Sequence, residues 1–549
     1  MSVSLRLAVA RLLCMLAVCG CATSPQNTSS IHGLVRPGTA ASVDIVKARA
    51  RNIERSFQWE QYGAGAFERA RREKKPILLM GAASWCHWCH VMDETTYRDP
   101  QVGRLLAERF IVIRVDIDER PDIAARYEDW GWPATILLSP EAQEIGKYRG
   151  YINARDFLPI LQVVAEQPKG NAMGEQVHDP GLSSAPVEAL PWIAGYALVK
   201  LDDLYDSAEG SWGFQQKVPI GENILVELRR AAHGNTKALA RAVFTLEKQR
   251  IMIDPVWGGV YQYSAATHWK EPHYEKLMPY QTSNIEAYAR GYAQTGRKDF
   301  LDDARRITQY LTTLLTSPEG GFYTSQDADV GSHEEKGRFV DGDVYYRLGD
   351  AERRKLGMPR IDQHVYAYEN GLAISALCAL HEASADADAL ARALTAAGFV
   401  VQGHLDENGL LRHDATNSTK IRYLADSAAF GLAMMRLYRA TNDVVWRERA
   451  ERVANALEER FLDPTTGAYW AHTDDAAAVG VFAQRQRPFV GNVMAARLHA
   501  ALGGDFRAKA LRILAGVSTP RAVVGQGRMI GEYVLALDEV GMVAWATAK

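Results

Sequence analysis

Past its N-terminus the chain has no run of about 18 apolar residues, the least that crosses a bilayer as a helix, so a polytopic membrane protein is excluded. It also lacks a charge of one sign. Lys and Arg number 63 against 66 Asp and Glu, a net of -3, and no stretch is strongly basic, which excludes an ordinary nucleic-acid binder. Cysteine is scarce, with 6 in 549 residues. Once the N-terminal Cys14, Cys19 and Cys21 are set aside, one close pair and the single Cys378 remain, which is no disulfide scaffold. A hydrophobic content of 47% rules out low-complexity disorder over most of the length. What is there is a long chain of ordinary globular composition, enough for two or three domains.

Residues 1–21 carry Arg6 and Arg11, a short apolar core from Leu12 to Val18, and small residues after it. The apolar stretch is too short to span and reads as an export signal. Val18-Cys19-Gly20-Cys21 resembles a bacterial lipobox, which makes Cys21 the expected lipidation site. Residues 22–49 read as a tether. The expected location is the periplasmic face, with membrane contact only through the N-terminal lipid.

Two folded regions follow. Residues 50–167 alternate helix and strand: a helix over Ala66–Lys75, a strand at Ile77–Met80, a helical stretch from Cys89 to Phe110, and a strand at Phe110–Asp118. Ala134–Leu138 and Glu144–Tyr151 form a hairpin, and Asn153 caps a last helix with Phe157, Ile160, Leu161 and Val164 on one face. Residues 168–190 are a linker. Residues 191–549 are almost wholly helical, as in the spacing of Leu301, Ala304, Ile307, Leu311 and Leu314. Glycine turns recur beside aromatics: Trp212-Gly213-Phe214, Trp257-Gly258-Gly259, Gly320-Gly321-Phe322-Tyr323, Gly409-Leu410-Leu411 and Gly467-Ala468-Tyr469. Helix pairs separated by such turns predict a toroid of helical hairpins. Cys378, within Ala376–Leu380, reads as core.

The segment Ser84-Trp85-Cys86-His87-Trp88-Cys89-His90 carries the chemistry. A CxxC pair between an apolar strand and a helix is the pattern of a thioredoxin-like redox centre, where unpaired helix N–H groups stabilise a thiolate. Cys86 is the expected exposed nucleophile and Cys89 the resolving cysteine. His87 is the candidate for tuning the thiolate, and His90 reads as a solvated helix residue. Trp132-Pro133 lies where this fold carries a cis proline beside the cysteines, so Trp88 and Pro133 join the expected redox site. The same letters spell the C-x-x-C-H of a c-type haem. A zinc site from Cys86, Cys89, His87 and His90 would crowd four ligands onto one helix. Neither is favoured, and no cofactor beyond the Cys86–Cys89 disulfide is expected. A buried structural disulfide is the remaining alternative.

These blocks resemble the spermatogenesis-associated protein 20 family. The resemblance rests on Cys86 to Met92, Glu119-Arg120-Pro121-Asp122, Gly131-Trp132-Pro133, Trp269 to Lys276, and Gly320 to Asp329. It implies an α/β thioredoxin-like domain followed by an all-α six-hairpin barrel, the architecture of glycosidases and sugar epimerases. The chain departs from the family pattern at Gln326 and at Pro279-Tyr280-Gln281. If the barrel is catalytic, sugar hydrolysis would need paired carboxyls and epimerisation an acid and a base. The candidates are His268, His273, Glu275, Asp327, Asp329 and Asp426, with Trp212, Trp257 and Tyr323 as an aromatic platform. The leading expectation is an exported thiol–disulfide oxidoreductase whose barrel binds a protein or carbohydrate ligand. The alternatives are a carbohydrate-active enzyme with a structural thioredoxin domain, and a binding protein without catalysis.

Overall fold

A computed structural model of the chain describes residues 55–127, 131–168, 184–334, 338–416 and 419–545. The expected signal, lipobox and tether, and most of the linker, lie outside the described residues. The first domain contains β1 (Glu60–Gln61), α1 (Ala64–Glu73), β2 (Ile77–Ala82), α2 (His87–Glu94), α3 (Pro100–Arg109), β3 (Ile111–Asp116), α4 (Pro121–Tyr127), β4 (Ala134–Leu138), β5 (Glu144–Arg149) and α5 (Ala154–Glu166). The sheet order is β1-β3-β2-β4-β5, parallel through β2 and antiparallel from β4 onward. This is the thioredoxin-like α/β architecture. Every residue of β2 is buried because helices cover both faces of the sheet. Leu78 and Met80 pack towards α2, α3 and α5, while Ile77 and Leu79 pack on the α1 side. The helix expected from Cys89 to Phe110 is two helices. α2 starts earlier, at His87, and Asp99 opens α3 by accepting N–H bonds from Gln101 and Val102, with Pro100 at the first helical position.

The second domain begins before residue 191. The Ala185 N–H donates to the Ala515 carbonyl, and Ala185 and Ala189 belong to the barrel core. Its helices are α6 (Leu190–Asp203), α7 (Gly221–Ala232), α8 (Thr236–Gln249), α9 (Met278–Thr295), α10 (Lys298–Leu314), the short α11 (Gly342–Tyr345) and α12 (Asp350–Leu356), α13 (Ala367–Ser384), α14 (Ala387–Gly403), α15 (Leu424–Thr441), α16 (Val444–Phe461), α17 (Phe489–Leu502), α18 (Phe506–Val517), α19 (Pro520–Gly525) and α20 (Gly531–Glu539). α7, α9, α13, α15, α17 and α20 each pack on the next, and α20 closes on α7. Each also pairs with an outer helix, α20 with α6 from the other end of the domain. Six hairpins thus make a closed α/α barrel. Inner helices such as α13 are apolar nearly all round because they are covered on two sides, whereas outer ones such as α10 are amphipathic.

The glycine turns connect outer to inner helices by one recurring device. Gly258, Gly320, Gly409 and Gly467 have φ of 74°, 97°, 85° and 81° and donate their N–H to the carbonyls of Asp254, Ser317, Asp406 and Asp463. The next inner helix then clasps the returning strand. Gln281 accepts from the Val260 N–H, Asn370 from Phe322, Ser427 from Leu411 and Asn492 from Tyr469. Gln281 and Gln326, two departures from the family pattern, are therefore structural, since Gln326 accepts from the Tyr310 hydroxyl.

Candidate active site at the domain interface

Cys86 is the N-cap of α2, where its sulfur lies 3.2 Å from the Cys89 N–H. It is disulfide-bonded to Cys89. The Trp132–Pro133 peptide is cis, and the Trp132 ring packs over Gly81. So far this is the geometry expected around the cysteine pair. What surrounds it is not. Cys86, expected to be exposed, is only 3% accessible, because the mouth of the barrel lies against this face of the thioredoxin-like domain. Leu277 and Tyr280, at the start of α9, join the same apolar cluster as Cys86 and Cys89.

The polar contacts across this seam join the two sets of candidates that looked separate in the sequence. The His87 N–H, at the start of α2, points to Glu275 Oε1 at 3.3 Å. The His87 ring bonds Asp329 Oδ2 through Nδ1 at 2.7 Å. His90, one turn on, faces Asp327 Oδ2 at 3.7 Å. His87 and His90 are thus not solvated helix residues. Each is paired with one aspartate of the barrel loop Asp327-Ala328-Asp329. The Ser84 carbonyl accepts from His333 Nε2 at 2.7 Å, and Ser84 Oγ lies 3.4 Å from Asp362.

A second contact lies at the end of β3. His413 Nε2 donates to the Asp118 carbonyl at 2.7 Å while its Nδ1 bonds Asp426. Asp426 also accepts the Tyr368 N–H at the start of α13. Asp118 itself accepts from Trp85 Nε1 at 2.7 Å, which ties this patch back to the cysteine loop. A third contact sits on the opposite face of the sheet, where Phe482 fills the α1-side core and the Val481 N–H donates to the Ala142 carbonyl. Gly480, with φ 54°, has room for no side chain there, since a Cβ would stand 2.2 Å from that carbonyl.

Burial and charge set unusual proton affinities along the seam. Burial disfavours the imidazolium of His87, yet Asp329, supported by Glu275 and Asp341, holds its pKa up to about 9. His413 behaves alike, with burial outweighed by Asp426, and is raised to about 9. Burial pushes Glu275 and Glu369 each up to about 7 and Asp116 to about 6, and Asp118 well above its usual range. Burial, with the neighbouring His87 charge, lowers His273 to about 4. Desolvation also keeps His90 below its ordinary value. The interface therefore holds imidazolium–carboxylate pairs beside carboxyls that keep their protons near neutrality.

Of the remaining candidates His273 borders the seam, and the others are elsewhere or structural. His273 stacks on Tyr263 and lies beside His87. His268 is on a surface turn near Glu271. Trp212 is buried in the barrel core, and a buried ring cannot stack on a ligand. Trp257 donates to Asp350 and packs on Arg353, and Tyr323 packs on the core. Cys378 is buried as expected, with its thiol pushed up to about 12 by burial. Glu369, His413, His333, Asp116 and Asp118 were not singled out in advance. Only the alternation Val115-Asp116-Ile117-Asp118 placed two carboxylates at a strand end, where this fold puts functional groups.

The chain is similar to known proteins over parts of its length. Residues 48–167 match the thioredoxin DsbH family model, described as a protein of unknown function, DUF255. The chain is homologous to human spermatogenesis-associated protein 20, with 30% identity over 321 residues, 52% of this chain and 41% of the human protein. The match thus spans about two-fifths of the length of that relative. The first domain is also similar to thiol:disulfide interchange protein DsbD of Pseudomonas fluorescens, with 30% identity over 99 residues, 17% of each chain. Among solved structures, cellobiose 2-epimerase from Bacillus thermoamylovorans covers 60% of this chain and 85% of its own, with a TM-score of 0.45 and 12% identity.

Proposed function

We propose that the chain is a thiol–disulfide oxidoreductase whose redox centre works in the mouth of its own barrel. The observation that carries this is the placement of the Cys86 sulfur. It caps α2 with the Cys89 N–H already aimed at it, so a thiolate formed there is stabilised without rearrangement. Similarity of the first domain to DsbD supports the same reading. In the reductive half-reaction an incoming thiolate attacks Cys86 Sγ, the S–S bond breaks, and Cys89 leaves as a thiolate and takes a proton. A second thiol then releases the dithiol protein and a new disulfide. The oxidative direction is the reverse, with Cys86 attacking a partner disulfide and Cys89 resolving it.

His87, held by Asp329, keeps a positive charge on the residue that follows Cys86 in the chain, which favours a Cys86 thiolate. Glu275 sets a carboxyl near the same helix terminus that takes or gives a proton near neutrality. Because Cys86 is covered, a protein partner reaches it only when the barrel yields at this face. The partner is a protein thiol or disulfide. The N-terminal pattern supports export and a lipid anchor at Cys21, which would put the reaction at the periplasmic face. A carbohydrate-active barrel is the second reading. It draws on the raised carboxyls Glu275 and Glu369, and it requires the thioredoxin-like domain to leave the end of the barrel it now covers.

The deciding experiment is thiol trapping of the purified chain in glutathione buffers, with Cys86→Ser and Cys89→Ser as controls. A reversible couple within the span of known oxidoreductases, about -120 to -270 mV, is expected. A disulfide that resists reduction until the protein unfolds, or thiols that never pair again, would overturn the proposal.

A further inference from the structure

His90 poses a problem that the redox reading does not solve. Its ring is 5% exposed, yet neither Nδ1 nor Nε2 has a hydrogen-bond partner among the described residues. A neutral imidazole carries one donor and one acceptor, and leaving both buried and unmatched is costly. The ring faces Asp327 Oδ2 at 3.7 Å, and the same oxygen lies 3.1 Å from His333 Nε2. The His90 and His333 rings are 4.7 Å apart, nearly perpendicular.

We infer that His90, Asp327 and His333 form a binding site for one transition-metal dication of the zinc type, completed only when the two domains are docked. One ligand atom from each residue lies within 4.8 Å of the others. An ion about 2.0–2.1 Å from each of its ligands in a tetrahedral site sets them about 3.3 Å apart, so the 3.1 and 3.7 Å separations need only small adjustments, and the two imidazoles, within 4.8 Å of each other, close by at most about 1.5 Å. Two imidazole nitrogens and one carboxylate oxygen suit zinc, cobalt, nickel or copper, whereas magnesium and calcium favour all-oxygen sites. A cavity of about 140 Å³ opens onto His90, Ser332 and His333, leaving room for a water as fourth ligand and a path for the ion.

The surroundings allow the exchange. Ser332 donates to Asp327 Oδ2 at 2.6 Å and the Asp329 N–H bonds its other oxygen, which orients the carboxylate. His333 at present donates from Nε2 to the Ser84 carbonyl and faces Arg360 through Nδ1. Ligation through Nε2 moves that proton to Nδ1, and the exposed Arg360 swings into solvent. The set differs from the crowded one considered for Cys86-His87-Trp88-Cys89-His90. Only His90 comes from that motif, and the cysteines stay out of the site. The ion would then pin the cysteine-bearing helix to the barrel.

The test is calorimetric titration of the chelator-stripped, oxidised full chain with Zn²⁺ and with Co²⁺, after alkylation of free thiols. One equivalent per chain is expected, with zinc raising the unfolding midpoint. His333→Ala, at an exposed position that leaves folding intact, should weaken binding at least tenfold and abolish the midpoint shift, and Asp327→Asn should do the same. A Cys86→Ser/Cys89→Ser double variant should bind as the parent does. Absence of a stoichiometric site, unchanged affinity in His333→Ala, or loss of binding in the cysteine variant would each sink the inference, whatever the redox couple proves to be.

Discussion

Glu275 and Lys276 are chain neighbours where a short strand, Lys276–Leu277, begins, and their side chains go to opposite fates. Lys276 turns into the barrel wall and meets Asp254 at 2.8 Å, which in turn holds Arg353 at 2.8 and 3.1 Å. All three charges are fully buried, and each finds further bonds, Lys276 to the Gly258 carbonyl and Arg353 to those of Tyr346 and Leu348. Glu275 turns to the domain seam instead. One of its oxygens faces the His87 N–H, and the other has no hydrogen-bond partner among the described residues, with His273 Nδ1 3.9 Å away. A buried network in which every member is satisfied is architecture, because nothing in it gains from a further partner. A buried network with unmatched atoms, such as Glu275 Oε2 and both nitrogens of His90, has capacity left for protons, ions or a moving partner. That difference is why the function is placed at the seam rather than in the triad.

The contrast can be broken most directly at Asp254. Asp254→Asn leaves Lys276 and Arg353 buried without their counter-charge, and removing one partner of such a group costs about 3–5 kcal/mol. Calorimetry should show the main barrel transition falling sharply in temperature, with the rate of disulfide reduction at low temperature little changed. A loss below about 1 kcal/mol would mean that the triad is not the fixed frame taken here.

Asp329→Asn should act the other way round. It removes the main partner of His87 across the seam while leaving the barrel core intact. Stability should fall by about 1.5–3 kcal/mol, the range for a charged hydrogen bond. The larger effect should be on access, with Cys86–Cys89 reduced by a small thiol several-fold faster than in the parent. Equal reduction rates would show that the His87–Asp329 pair does not control the cover over Cys86.

Much of this was legible in the sequence, and the missing part has one physical cause. Strands such as Ile111–Asp116 and helices such as Lys298–Leu314 follow from local periodicity, and Cys86 and Cys89 from a motif four residues long. Glu275, Asp327 and Asp329 stood out one at a time. That they converge on His87 and His90 did not, because the partners are 188 and 242 residues apart and no periodic pattern encodes which domain faces lie together. The same gap explains Cys86. Its local pattern is that of an exposed nucleophile, and the residues that cover it, Leu277 and Tyr280, belong to the other domain. His413 and Glu369 sit in stretches that carry no signal of their own.

The subtlest test of the comparison is pH. At the seam, His87 and His413 are raised from 6.5 to about 9, and Glu275 and Glu369 from 4.5 to about 7. All four hold protons more tightly folded than unfolded. The carboxyls' contribution is full below pH 4.5 and is lost as pH rises to 7. That of the histidines is full below 6.5 and is lost as pH rises through 9. In the triad, burial opposes the Asp254 charge but Lys276 and Arg353 hold its pKa down to about 2, and burial brings Lys276 to about 8. Its protonation is then the same folded or unfolded between pH 4 and 8, so its contribution is flat there. The unfolding step that opens the seam should therefore weaken most clearly from pH 6.5 to 9, since below 6.5 His273, lowered to about 4, gains as the carboxyls lose. The barrel's own slope comes instead from Glu222, raised to about 7, and His499, lowered to about 4, and levels off between pH 7 and 8, the triad adding none. Glu275→Gln sharpens the point, since it keeps an acceptor for the His87 N–H but titrates nothing. It should shrink the limb between pH 4.5 and 7 to the share of Glu369 and leave the limb above 7 in place. A seam transition as flat as the barrel's between pH 7 and 8 would remove the distinction between the two networks.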